Sequence, residues 1–78
     1  MKTAAGQALE CLHACRDALA EARLHALGAQ AYLGGARATR AAELAERIAD
    51  AITYAERLKF VVEGDARYDA AAQAGGAR

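Results

Sequence analysis

The stretch Thr39–Glu63 reads TRAAELAERIADAITYAERLKFVVE. Within it Ala41, Leu44, Ile48, Ala51, Ala55, Leu58 and Val62 fall at alternating spacings of three and four. That period places them on one face of an α-helix. No other long stretch of the chain carries as many large aliphatic residues on one stripe, so the core is predicted to form on it.

Working outward toward the start, residues 4–33 carry a second helical pattern. Ala5, Ala8, Leu12, Cys15, Leu19, Ala22, Ala26, Ala29 and Leu33 step by three and four. Leu9, Leu24 and Leu27 widen that apolar arc. Thr3 can cap the first turn, its hydroxyl accepting from a free backbone N–H. Arg16 and Arg23 flank the stripe, where their alkyl stems can lie on it with the guanidinium in water. Gly34-Gly35 ends the pattern, because glycine takes a positive φ without steric cost.

The sequence therefore predicts an all-α fold, an antiparallel helical hairpin with coiled-coil-like packing. Helix 1 spans about 4–33, a turn 34–38, and helix 2 about 39–63 with Thr39 as its cap. Asp65 can open a short third helix, or an extension, over 65–74, and 75–78 form a tail. A connection this short forces the helices antiparallel. All 78 residues read as one small helical domain.

Composition narrows the function. Of the 78 residues 24 are alanine, the best helix former but a poor core former, since one methyl buries little area. There is no proline and only one phenylalanine, which disfavours a sheet. Ten acidic and ten basic residues balance, so a chain whose work is to neutralise phosphates is not expected, and neither is nucleic acid as a partner. A helix-turn-helix reader would need a third supporting helix and a polar recognition face, and helix 2 spends its face on Ala, Leu and Ile. No apolar run is long enough to span a membrane. Glu10, His13, Arg16 and Asp17 interrupt any secretory core, which predicts a cytoplasmic protein with reduced thiols.

Four groups of residues could carry function. Cys11 and Cys15 share a helical face at i,i+4, a spacing from which two thiolates can reach a soft metal. Such pairs resemble those of copper-storage bundles, which use many of them, whereas this chain has one. A metal or redox role for Cys11 and Cys15 is the alternative to a structural one, with Cys15 as a small core residue and Cys11 at its border. No metal or cofactor is assigned. His25 lies one turn from Glu21, but the chain has no serine and a hairpin offers no pocket, so no enzyme is expected. Arg37, Arg40 and Arg47 gather at the start of helix 2, where they could meet an anion.

Phe60 projects well off the main stripe, and Val61 lies off centre toward Tyr54 and Tyr68. Leu24 and Leu27 do the same on the first helix. One hairpin cannot bury all of these residues, so they are predicted to contact protein, as a homodimer forming a four-helix bundle or as a hetero-complex. The functional class so implied is a small non-enzymatic adaptor, chaperone or inhibitor of the kind bacteria and their phages encode. In layout, Leu33-Gly34-Gly35 and the aliphatic second helix resemble the small co-chaperones of type III secretion needle subunits, also short hairpins. An inhibitor of a host or defence protein fits the same features.

Overall fold

A computed structural model describes the backbone of residues 3–76 and the side chains of 3–65 and of Arg67. It contains two helices, α1 (Ala4–Tyr32) and α2 (Gly35–Gly76), packed against each other as a hairpin. Thr3 caps α1 as its sequence suggests: its hydroxyl accepts from the Gly6 N–H at 2.9 Å, and its carbonyl accepts from the Gln7 N–H.

The connection is shorter than the sequence implied. Only Leu33 and Gly34 lie between the helices, not 34–38. Leu33 is extended, and its N–H reaches back to the Gln30 carbonyl at 3.3 Å. Gly35 takes φ +56°, a left-handed value that favours glycine, and this lets the chain reverse at once. Helix α2 therefore starts four residues ahead of Thr39. Thr39 sits inside the helix, its hydroxyl turned to the Gly35 carbonyl at 3.5 Å, and caps nothing.

Nor does α2 stop at Glu63. It continues through Gly64 to Gly76, so 65–74 is an extension of α2 and not a separate helix. A lone glycine costs a helix only ~1 kcal/mol, and five of the twelve helical residues beyond it are alanine. Gly75 and Gly76 of the expected tail are helical. Ala77 and Arg78 lie outside the described residues.

The seam coincides only in part with the stripe read from the sequence: Ala41, Ile48, Ala55 and Val62 face inward, whereas Leu44 and Leu58 do not. On α2 Ala38, Ala41, Ala45, Ile48, Ile52, Ala55, Lys59 and Val62 are buried or half-buried at an unbroken alternation of three and four, and Ala42, Ala49, Ala51, Glu63 and Gly64 are half-buried as well. Among the described residues the buried ones are Ala26, Ala41, Ala45 and Ala55, every one an alanine. Leu44 and Leu58, expected in the core, are 53% and 43% exposed. The same rotation occurs on α1: Leu9, Leu12, Arg16, Leu19, Ala26 and Gln30 line the seam, while Ala8, Cys15 and Ala29 face outward. Single methyls at Ala41, Ala45 and Ala55 demand less space between the axes than leucines at those positions would.

The hairpin is a single layer. Its extents are 66 × 20 × 11 Å and its radius of gyration is 18.3 Å. A compact chain of this length would have a radius of about 11–12 Å. Domains ordinarily bury their apolar faces between two layers, and here the second layer is not supplied by the chain.

Candidate interaction face

Apolar residues on each helix span three adjacent rows, and the seam uses two of them. The third row on α1 is Ala8, Cys15, Ala22 and Ala29, and on α2 it is Leu44, Ala51 and Leu58, with Ala22 and Ala51 half-buried and the others exposed. Both rows flank their seams on the same rotational side. In an antiparallel pair, a two-fold axis normal to the layer exchanges the helices, so equivalent flanks lie on the same face. The two leftover rows therefore run side by side on one broad surface of the hairpin.

The neighbouring row widens that surface. On α1 it adds Cys11, Ala18 and His25, all exposed, and on α2 Arg47, Tyr54 and Val61. From Ala8 to Tyr32 neither of the two α1 rows contains Asp, Glu, Lys or Arg. On α2 the two rows are uncharged between Arg47 and Asp65. The result is a neutral apolar face, with alanine and cysteine on one helix and leucine, tyrosine and valine on the other. Tyr54, Leu58 and Val61 line one shallow hollow together with Arg57 at its rim.

The opposite face is acidic. Glu10, Asp17, Glu46, Glu56 and Glu63 lie there. Arg16 crosses the seam on this side, its Nε donating to Glu56 Oε1 at 2.5 Å, with Asp17 at 3.7 Å from the same guanidinium. The Glu56 hydrogen bond and then its charge hold Arg16 above its ordinary pKa; Asp17 adds to this and desolvation opposes it.

The residues singled out in the sequence are thus sorted by the fold. Leu24, Leu27, Tyr54, Phe60 and Val61 are all exposed. Tyr54 and Val61 join the neutral face. Leu24 and Leu27 lie on the other side, near the turn. Phe60 sits toward the far end, in a hollow with Thr53, Glu56, Arg57 and Val61 that wraps the outer edge of α2. The side chain of Tyr68 lies outside the described residues. Leu44 and Leu58 were missed because their size made them look like core. The signal that finds them is the absence of charge from their row.

Among the arginines, Arg40 and Arg47 line one shallow depression and Arg37 does not. Glu43 shares that depression, and its carboxylate opposes an anion there. Cys11 and Cys15 are both exposed thiols on the neutral face, so Cys15 is not a core residue. His25 pairs with Glu21 at 3.7 Å on the surface. Among the described residues no group of three or more His, Cys, Asp or Glu side chains could hold a metal ion, and no helix is long and apolar enough to cross a membrane. No family model, curated protein or solved structure matches the chain.

Proposed function

We propose that this chain is a non-enzymatic protein–protein interaction module of the adaptor, chaperone or inhibitor class, and that the neutral face is its working surface. One observation carries the reading: among the described residues only alanines are buried, while Leu44, Tyr54, Leu58 and Val61 stand exposed on one uncharged side. Contiguous exposed apolar surface of this kind marks contact sites. Helix-face recognition supplies the mode, with apolar side chains at i, i+3, i+4 and i+7 as anchors.

The test is fluorescence-detected sedimentation of chain labelled at its amino terminus, in buffer at micromolar and in host-cell extract at nanomolar concentration. The comparison is Tyr54→Glu/Leu58→Glu, with helix content checked by circular dichroism. The wild type is expected to sediment above its 8.1 kDa in at least one setting, and the double variant as a monomer in both. A wild type that stays monomeric in both settings, or a variant that matches the wild type, overturns the reading.

A further inference from the structure

We infer, building on that reading, that the neutral face is covered by a second copy of this chain. The two hairpins form a four-helix bundle whose two-fold axis runs parallel to the helices. Each leucine-bearing α2 then lies on the alanine-bearing α1 of the other copy.

Area supports a second copy. A compact monomer of 8.1 kDa exposes about 4,500 Å². This chain exposes 6075 Å², a surplus of roughly 1,600 Å² per copy, more than the ~800 Å² that one partner of a specific pair ordinarily buries. The face itself agrees. Helix α1 is 29 residues long, about 43 Å, and the layer is 20 Å wide. That gives roughly 800 Å² per copy, the usual share of one partner.

Shape supports the orientation. One helix offers Ala8, Cys15, Ala22 and Ala29, and the other Leu44 and Leu58. An axis parallel to the helices sets Leu44 and Leu58 against the alanine and cysteine row of the other copy. It does so at any axial slip, since every residue in that α1 row is alanine or cysteine. An axis across the helices would set leucine on leucine and alanine on alanine, crowding one half of the interface and leaving voids in the other. Protein interiors tolerate neither. Between Arg47 and Asp65 the α2 rows carry no charge, so no like charges oppose each other over that length. Under the parallel axis the two turns lie at the same end of the bundle.

The test places one spin label per chain at Gly34→Cys in a Cys11→Ala/Cys15→Ala background. Gly34 is exposed, has no positive φ, and has open space around the added side chain. Pulsed dipolar spectroscopy then reads the label-to-label distance, with light scattering and circular dichroism on the same sample. Helices 8–10 Å apart put the two turns diagonally across the bundle, so a distance under about 30 Å is expected with a dimer mass. Turns at opposite ends would be separated by the helix overlap, about 40 Å or more. A distance beyond about 30 Å, or a monomer mass, overturns the proposal. If Gly34→Cys does not fold, Tyr32→Cys serves, its side chain being 93% exposed. A monomer in buffer that becomes heavier in host extract overturns the second copy alone and leaves the interaction module standing.

Discussion

Arg16 on α1 donates from Nε to Oε1 of Glu56 on α2, a bond that joins residues 40 apart in sequence and ties the acidic side of the hairpin across its seam. Both side chains are partly exposed, so the pair fixes register more than it adds stability. A double-mutant cycle of Arg16→Gln and Glu56→Gln is expected to show a small coupling that shrinks with added salt. The exchanged pair Arg16→Glu/Glu56→Arg should recover part of it. Since Arg16 is raised in the folded state, its contribution is fully present below arginine's ordinary pKa. It is lost only as pH rises through the higher folded value. Urea unfolding is therefore expected to show no slope from Arg16 across neutral and mildly alkaline pH.

The two turn glycines are not equivalent. Gly35 holds φ +56° and Gly34 does not. Gly35→Ala is expected to lower stability by ~1–2 kcal/mol, while Gly34→Ala should cause no loss. Thermal unfolding of both variants at one fixed protein concentration checks this; equal effects would contradict the turn geometry.

Gly28 and Gly64 lie inside helices with nothing within 4 Å of an added methyl. Neither has a positive φ. Each substitution to alanine is expected to raise stability by ~1 kcal/mol. A drop for Gly64→Ala in urea unfolding would contradict the continuous path of α2.

Ala45 is 3% exposed at the seam, and its neighbour Leu44 is 53% exposed. Ala45→Leu should push the helices apart and cost ~1–3 kcal/mol. At concentrations low enough to keep the chain monomeric, Leu44→Ala should change unfolding by less than ~0.5 kcal/mol. The reverse order of effects would restore the leucine stripe as the seam.

That contrast shows how far the sequence could be read. The helical period, the hairpin, the Thr3 cap and the exposure of Tyr54, Phe60 and Val61 all follow from spacing and chain length. Which row faces inward did not. With alanine in three adjacent rows, rotating each helix by one row changes the buried apolar area little, and the leucines drew the eye to the wrong row. The seam that formed accepts Arg16, Gln30 and Lys59 on its margins, because long side chains can carry their polar ends to solvent. The continuation past Gly64 was equally open, as one glycine among alanines is a weak stop. Charge was the better guide, since the acidic residues avoid one side of both helices.

The most direct test of the neutral face as an interface with a second copy is light scattering behind size exclusion over a hundredfold range of concentration, on the wild type and Leu58→Lys. The wild type should hold twice 8.1 kDa and Leu58→Lys should fall to 8.1 kDa with its helices retained. A wild type at 8.1 kDa throughout, or a Leu58→Lys dimer indistinguishable from it, would contradict the account.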